Sequence, residues 1–152
     1  METRKYTHGY RKLLAWREAH GLTLAVYQCT KNFPTDERFG ITSQLRRASS
    51  SIGAQIAEGS RMPTPIHRKL YYDRAYASAA EVDNFLELAK DLQYLDIETY
   101  NSLLERVNHT SFLTLKLSQS CTNKPLTIPT EPTIPTLPTK QVYHNHAPEA
   151  AR

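Results

Sequence analysis

Glycine, cysteine and long apolar runs are all scarce in this sequence, and each scarcity excludes a class of protein. Five glycines in 152 residues are too few for the many tight turns of a β-sandwich or β-barrel. No stretch approaches the roughly 20 apolar residues that a transmembrane helix requires. The charged N-terminus is followed by no apolar segment, so it does not resemble a secretory signal. We therefore expect a cytoplasmic protein without membrane contact, in which Cys29 and Cys121 are reduced and act as small hydrophobic residues.

Catalytic and cofactor motifs are absent from the sequence as well. There is no glycine-rich phosphate loop, no His-Glu-x-x-His, and no Glu-x-x-His of the kind that binds two metals within a helical bundle. The two cysteines lack the spacing of a zinc site, and His144-x-His146 alone is weak evidence for a metal. We therefore predict that the protein is not an enzyme and uses no metal and no cofactor.

Four segments show the alternating spacing of apolar side chains, three and four residues apart, that is typical of amphipathic helices. The predicted helices cover residues 10–32, 36–58, 66–94 and 97–121. Phe33-Pro34 ends the first helix, because the residue before proline avoids the helical conformation. The expected N-caps of the other three are Thr35, Thr64 and Asp96, with Pro65 in the first position of the third helix.

The predicted core positions lie on one face of each helix. They are Ala15, Ala19, Leu22, Val26, Cys29 and Phe33 in the first helix; Ile41, Leu45, Ala48, Ile52 and Ile56 in the second; Tyr71, Ala75, Ser78, Val82, Phe85, Ala89 and Leu92 in the third; and Ile97, Tyr100, Leu103, Leu104, Val107, Leu113, Leu117 and Cys121 in the fourth. Linkers this short make sequential helices antiparallel neighbours. The sequence therefore predicts an all-α fold, an antiparallel up-down-up-down four-helix bundle.

Two glycines of the second predicted helix have distinct expected roles. Gly59 is the expected residue just past the helix end, where glycine commonly adopts a left-handed conformation. Gly53 lies inside the helix and indicates close backbone packing or a kink.

The composition changes after Lys124. Proline recurs at every third residue, at positions 129, 132, 135 and 138, which matches the three-residue turn of polyproline II. The change predicts a bundle domain over residues 1–124 and a disordered Pro/Thr-rich tail over residues 125–152. A strip that docks into an aromatic groove is the alternative interpretation of the tail.

Basic side chains are concentrated around the second helix and the start of the third. The formal net charge of +4 lies entirely before the tail, since residues 1–124 hold 17 Lys and Arg against 13 Asp and Glu. Glu58 is the only acid between Ile41 and Tyr72. The candidate nucleic-acid-binding residues are Arg46, Arg47, Arg61, Arg68, Lys69 and Arg74, and a second basic group is Arg4, Lys5, Arg11 and Lys12.

Tyr71, Tyr72 and Tyr76 are interleaved with these cations. Arginine and lysine neutralise phosphates, and tyrosine rings stack on unpaired bases, so the combination is typical of a surface that binds RNA or DNA. The alternative is that the tyrosines belong to the core and the arginines are merely solvated.

A stripe of polar residues runs beside the apolar face of the second helix. We interpret it either as an ordinary solvated boundary or as a hydrogen-bonded network, inside the bundle or at a subunit interface, that fixes register. The stripe comprises Gln44, Ser51, Gln55 and Glu58, and Ser78 and Glu81 of the third helix are placed to face it.

The run ERFGITSQLRRA over residues 37–48 carries a family resemblance. Together with Ser51-Ile52 and the run IAEG over residues 56–59, it resembles the hallmark of the 23S rRNA-intervening-sequence four-helix-bundle proteins. The runs LLAWREAH at 13–20 and AKDL at 89–92 are similar to the family's first helix and third-helix ending. The likeness spans roughly residues 10–120. This sequence departs from it at Gly53, Gln55 and Ala77, where proline, asparagine and glycine are common.

The resemblance implies a cytosolic bacterial protein that forms a ring-shaped homopentamer. The family includes proteins encoded inside ribosomal RNA genes, and the accessory variability determinants of diversity-generating retroelements, which bind a reverse transcriptase and its template RNA. We therefore expect a non-enzymatic, oligomeric, nucleic-acid-associated adaptor, which in the retroelement form docks a reverse transcriptase. The alternative is a structural protein-interaction module encoded by a ribosomal RNA intervening sequence, without direct nucleic-acid binding.

Overall fold

Four α-helices make up the part of the chain that the computed structural model describes, residues 9–122. They are α1 (Leu14–Cys29), α2 (Ile41–Gly59), α3 (Pro65–Asp91) and α4 (Ile97–Ser120). A 3-10 helix, Gly9–Lys12, precedes α1, and two more, Thr30–Asn32 and Thr35–Arg38, connect α1 to α2. These residues contain no strand, so the prediction of an all-α protein with four helices is confirmed. The predicted Pro/Thr-rich tail lies outside the described residues.

Each helix packs against two others, in the cyclic order α1, α2, α3, α4. Contacting pairs advance along one helix while they move back along its neighbour, so neighbouring helices are antiparallel. The pairs that show this are Tyr27–Arg46 and Trp16–Gly53 between α1 and α2, Arg47–Glu81 and Gly59–Tyr72 between α2 and α3, Asp73–Ser118 and Glu87–Tyr100 between α3 and α4, and Glu18–His109 and Gly21–Arg106 between α1 and α4.

The predicted core faces of α1 and α2 are almost entirely buried. Burying one Leu, Ile or Val side chain contributes about 1.5–3 kcal/mol, so these positions supply much of the bundle's stability. Cys29 is the exception, because it is only half-buried at the end of α1. The predicted positions found buried are Ala15, Ala19, Leu22, Val26, Phe33, Ile41, Leu45, Ala48, Ile52 and Ile56.

The core face of α3 differs from the prediction by one residue in alternate turns. The expected core residues Ala75, Val82 and Ala89 are buried. The buried residues that alternate with them along the helix are Tyr72, Ala79 and Leu86. The predicted Tyr71, Ser78 and Phe85 are half-buried beside this face, and Leu92 is exposed. These assignments were wrong because α3 is apolar on more than one side, so its sequence fits two faces that share every second core position.

The core face of α4 contains three hydroxyl side chains that the apolar pattern missed. Thr110, Thr114 and Ser118 are buried, whereas the predicted Leu113, Leu117 and Cys121 are half-buried and Ile97 is exposed. The Thr114 hydroxyl donates to the Thr110 carbonyl at 2.7 Å, and Ser118 Oγ donates to Asp73 Oδ1 at 2.5 Å. These hydrogen bonds let Thr114 and Ser118 occupy core positions. Thr110 Oγ1, in contrast, is buried without a hydrogen-bond partner among the described residues.

Two of the three predicted N-caps are confirmed. Thr64 Oγ1 accepts a hydrogen bond from the His67 backbone N–H at 3.3 Å, and Asp96 Oδ1 accepts one from Thr99 at 2.7 Å. The prediction for Thr35 is wrong, because that residue lies in the preceding 3-10 helix and α2 begins only after Gly40. Glu37 Oε2 serves instead, accepting from the Ile41 N–H at 3.1 Å.

Gly59 is required for close packing, and the prediction of a left-handed conformation for it is wrong. It is the last residue of α2, and no glycine in residues 9–122 has a positive φ. A Cβ at Gly59 would lie 2.7 Å from Tyr72 Cε1 and 2.9 Å from Tyr71 Cβ. A Cβ at Gly53 would lie 3.7 Å from Trp16 Nε1, which is an ordinary van der Waals distance, so a side chain can be accommodated there.

Candidate nucleic-acid interface

The six candidate cations do not lie on a single face of the bundle. Arg46 and Arg47 are adjacent in α2, and successive residues of an α-helix point about 100° apart. Arg46 is directed toward α1 and Arg47 toward α3. Arg61 and Arg68 lie at the opposite end of α2, in and beside the α2–α3 connection. The candidate residues thus divide among separate places on the surface.

Arg46 is held in the groove between α1 and α2. Its Nε donates to Thr30 Oγ1 at 2.8 Å, and its guanidinium lies 4.9 Å from the centroid of the Tyr27 ring. The Thr30 hydroxyl itself donates to the Val26 carbonyl at 2.8 Å. Both terminal nitrogens of Arg46 remain without a hydrogen bond to any other described residue. The side chain is therefore anchored at its base and available at its tip.

Part of the predicted polar stripe forms a network between α2 and α3. Arg47 Nε donates to Gln44 Oε1 at 3.1 Å, and the same guanidinium forms an ion pair with the Glu81 carboxylate. One turn further along, Ser78 Oγ donates to Ser51 Oγ at 3.1 Å. Arg47 therefore belongs to this network as well as to the basic group.

The other two members of the stripe are not joined to this network. Gln55 is half-buried, and its Oε1 has no hydrogen-bond partner among the described residues. Glu58 is exposed near the end of α2. A role for this stripe at a subunit interface stays a prediction, and the orphan oxygen of Gln55 is where a further donor would fit.

Lys69 lies on the side of α3 that faces α4. Its Nζ is 2.6 Å from Asp73 Oδ2, and the other oxygen of Asp73 accepts from Ser118. Burial opposes ionisation of Asp73, but the hydrogen bonds from Lys69 and Ser118 outweigh it and hold the pKa of this carboxyl below its ordinary value. The charge of Lys69 is thus largely engaged by a neighbouring carboxylate.

Arg61 and Arg68 line an open cavity of about 290 Å³ at the α2–α3 end of the bundle. Arg68 Nε donates to the Met62 carbonyl at 2.8 Å, which fixes the guanidinium over the connection. No acidic residue is among the described residues that line the cavity. The other lining residues are Gly9, Tyr10, Leu13, Ser60 and Tyr72.

The three interleaved tyrosines differ in exposure. Tyr72 is only 4% exposed and packs in the core, so its interpretation as a base-stacking side chain is wrong. Tyr71 is half-buried, and the Arg74 guanidinium lies 5.4 Å from its ring centroid. Tyr76, at 42% exposure, is the most exposed of the three.

A second basic cavity, which the sequence pattern did not reveal, lies between the end of α1 and the start of α2. It has a volume of about 420 Å³ and includes Lys31, Arg38 and Arg46 in its lining. Lys31 and Arg38 lie outside the predicted basic cluster, on either side of Phe33-Pro34. The sequence signal for this cavity is that Lys31 and Arg38 flank the same turn. This signal becomes informative only once Arg46 is known to face α1.

Sites for metal or nucleophilic chemistry are not found in residues 9–122. No three His, Cys, Asp or Glu side chains there gather in an arrangement that could hold a metal. Both cysteines are free, and burial raises the pKa of Cys29 to about 11, which keeps this thiol protonated at neutral pH. Within the same residues, no helix is both long enough and apolar enough to cross a membrane.

Comparison with known proteins places the chain in a family. The family model of the 23S rRNA-intervening sequence protein matches residues 11–115. A crystal structure of a protein of unknown function from the S23 ribosomal protein family of Bacteroides thetaiotaomicron is similar in fold, with a TM-score of 0.65 at 20% identity over 70% of this chain and 96% of that one. No curated protein has a significantly similar sequence. Because the family model covers more than half of the sequence, this chain belongs to the 23S rRNA-intervening sequence protein family.

Proposed function

We propose that this protein is a non-enzymatic, oligomeric adaptor that binds the phosphates of RNA or DNA at the α2–α3 end of its bundle. The observation that carries the proposal is the open cavity in which two arginines, Arg61 and Arg68, lie side by side, with no Asp or Glu among the described residues of its lining. Guanidinium groups match phosphate oxygens in geometry and retain their charge at any physiological pH. Arg47 and Lys69 are less suited, because each forms an ion pair with a carboxylate of the chain. Arg46 lies toward the other end of α2 and belongs to a different cavity.

The described part of the second basic group, Arg11 and Lys12, extends this surface, and its other members, Arg4 and Lys5, lie outside the described residues. The 3-10 helix Gly9–Lys12 contacts α2, and Gly9 and Tyr10 line the cavity beside Arg61. Arg11 and Lys12 are exposed in the same short helix. They therefore add two charges at the same end of the molecule, where a phosphate backbone passing over the cavity would meet them.

A mostly apolar stripe on α3 supports the oligomeric part of the proposal. Ile66, Leu70 and Leu88 are exposed by 81%, 47% and 43%, and their helical positions fall within about 40° of one another. Ala77 lies on the same face between them. Asn84 is also exposed on this face, so the apolar residues form two groups, near the start and near the end of α3, and exposed apolar side chains aligned on one face are typical of a surface that another chain covers.

Nucleic-acid binding is tested by substituting the cavity arginines. We expect the double variant Arg61→Gln/Arg68→Gln to bind a fluorescent single-stranded RNA at least tenfold more weakly than wild type in an anisotropy titration, because charge-assisted contacts to phosphate are lost. Lys116→Gln is the matched control, since Lys116 is exposed on α4 and is not among the residues that line the cavity. Equal affinities in wild type and the double variant would contradict the proposal.

Self-association is tested on the α3 stripe. We expect Leu70→Asp to reduce the molar mass measured by light scattering, because a charge cannot be buried at an apolar contact without a partner. Leu24→Asp places the same charge on α1, where Leu24 is 59% exposed, and is expected to leave the mass unchanged. A wild-type protein that is monomeric at high concentration would exclude the oligomer.

The second candidate function is a protein-interaction module with no direct nucleic-acid binding. The ion pairs Arg47–Glu81 and Lys69–Asp73 favour it, because they neutralise candidate phosphate ligands within the chain. It predicts an intact oligomer and no measurable affinity for RNA. Docking of a reverse transcriptase is the finer form of the leading proposal, and it requires that RNA binding be demonstrated first.

A further inference from the structure

The cavity between the end of α1 and the start of α2 has the composition of an anion-binding site. Its volume of about 420 Å³ is within the range of small-ligand sites. Three cations line it, Lys31, Arg38 and Arg46, together with three hydroxyl residues and the ring of Phe33, and no carboxylate is among its lining residues. The hydroxyl residues are Thr30, Thr35 and Thr42.

The three cations of this cavity are not neutralised by the rest of the described chain. None of them forms an ion pair with an acid in residues 9–122, in contrast to Arg47 and Lys69. Glu37 is adjacent to Arg38 in sequence, but its carboxylate is occupied by the Ile41 N–H and by the Tyr94 hydroxyl at 3.2 Å. Asp36, the other acid of the same 3-10 helix, is exposed and forms no ion pair with a described residue, so no described acid directly neutralises the cations of the cavity.

One buried hydroxyl in the lining also lacks a partner. Thr42 is 93% buried, since only 7% of its surface is exposed, and its Oγ1 makes no hydrogen bond to any other described residue. Leaving a buried hydroxyl without a partner is unfavourable, so such a group in a cavity wall points to a ligand that supplies one. Thr42 also lies in the first turn of α2, where the helix dipole favours an anion.

We propose that this cavity binds a phosphate group carried by a small organic substituent. A phosphate dianion suits three cations better than a carboxylate, which offers one charge and two oxygens. Arg46 is preorganised for the contact by Thr30 and Tyr27, so little side-chain freedom is lost on binding. Phe33 and Pro34 provide an apolar wall for the substituent. This proposal rests on the proposed function in one respect only, which is the expectation that the organic substituent is a nucleoside.

The test compares thermal unfolding of the full chain in sodium phosphate and in sodium chloride of equal ionic strength. We expect phosphate to raise the melting temperature of wild type by several degrees at concentrations well above the dissociation constant. Arg38→Gln and Thr42→Val should lose this increase, and Arg17→Gln, an exposed arginine of α1 outside the cavity, should retain it. Thr42→Val should fold at least as stably as wild type in chloride, because it removes the unpartnered hydroxyl and preserves the shape of the side chain.

The source of the phosphate is distinguished by a second arm with nucleotide probes. An RNA oligonucleotide with a 5′-phosphate that binds roughly tenfold more tightly than its 5′-hydroxyl counterpart, in wild type but not in Arg38→Gln, assigns the site to nucleotide ends. Equal binding of the two oligonucleotides, with the effect of inorganic phosphate intact, assigns it to small phosphorylated solutes. No phosphate-specific stabilisation of wild type, or an equal one in Arg38→Gln, would overturn the proposal. These outcomes do not depend on the Arg61→Gln/Arg68→Gln result, which tests the other end of the molecule.

Discussion

Two glycines of α2 occupy contrasting surroundings, and the same substitution is expected to have opposite effects at them. A Cβ at Gly59 would collide with two tyrosines of α3, whereas at Gly53 its nearest neighbour is at ordinary contact distance. We expect Gly59→Ala to lower the free energy of unfolding by about 1–3 kcal/mol through overpacking. Gly53→Ala should raise it by up to about 1 kcal/mol, because alanine is the better helix former.

Urea denaturation of the two glycine variants beside wild type measures both effects. Both variants add one methyl group to a glycine of α2, so any general effect of the added methyl group cancels when the two are compared. A stability for Gly59→Ala equal to or above that of wild type would show that Tyr71 and Tyr72 do not pack against α2 as described.

The Asp73 carboxylate links stability to pH. Its pKa is lowered in the folded protein by Lys69 and Ser118 in spite of partial burial. A depressed carboxyl pKa contributes stability that is present above the unfolded value of about 3.9 and is lost as the pH falls through the folded value. We therefore expect the stability advantage of wild type over Asp73→Asn to begin to fall near pH 4 and to be lost as the pH drops through the lower folded pKa.

The size of this advantage is expected to stay within about 1 kcal/mol, since the Asp73 side chain is 46% exposed and solvent screens the ion pair. Thermal melts between pH 3 and 7 measure it. Asp83→Asn is the control, because Asp83 is exposed and forms no ion pair with another described residue. An advantage that persists unchanged at pH 3 would exclude the proposed linkage.

At the scale of the helices, the caps provide a matched pair of threonines. Thr64 caps α3 through its hydroxyl, whereas Thr35, the cap expected from the sequence, does not cap α2. Thr64→Ala should lower the free energy of unfolding by about 1 kcal/mol, a typical value for loss of an N-cap hydroxyl. In a chloride buffer, Thr35→Ala should lower the free energy of unfolding by less than half of that amount. Chemical denaturation of the two variants compares the losses directly. Equal losses would mean that α2 begins earlier than Ile41.

The boundaries and inner faces of the helices could be predicted from the sequence to different degrees. α1 and α2 each carry one apolar face, so their core positions follow from spacing alone. α3 could not be resolved in the same way, because Tyr71 and Tyr72 are the same residue type and both pack against Gly59, so spacing does not tell which ring is buried. In α4, Thr110 and Ser118 gave no hydrophobic signal. The burial of Ser118 depends on its hydrogen bond to Asp73 of α3, whereas Thr110 Oγ1 is buried without a partner among the described residues.

At the scale of the whole molecule, the bundle separates charges that are close in the sequence and joins others that are distant. Arg46 and Arg47 are neighbours in the chain but serve different grooves. Arg46 instead shares a cavity with Lys31 and Arg38. Composition could therefore predict that the protein is basic, but the locations of its basic sites depend on which helix faces are paired.

The two basic cavities lie near opposite ends of α2, which at 1.5 Å per residue is about 28 Å long. A single strand of nucleic acid that reached from one to the other would cross several phosphates. Such a span would let the α2–α3 end hold the backbone while the α1–α2 end holds a terminal phosphate.

The dependence of RNA affinity on salt concentration tests nucleic-acid binding most directly. Each neutralised phosphate of a single strand contributes about −0.7 to the slope of log affinity against log salt. For contacts to three or more phosphates, we predict a slope of about −2 or steeper in wild type and a clearly shallower slope in Arg61→Gln/Arg68→Gln. A slope near zero, or the same slope in both proteins, would contradict phosphate recognition at the α2–α3 end.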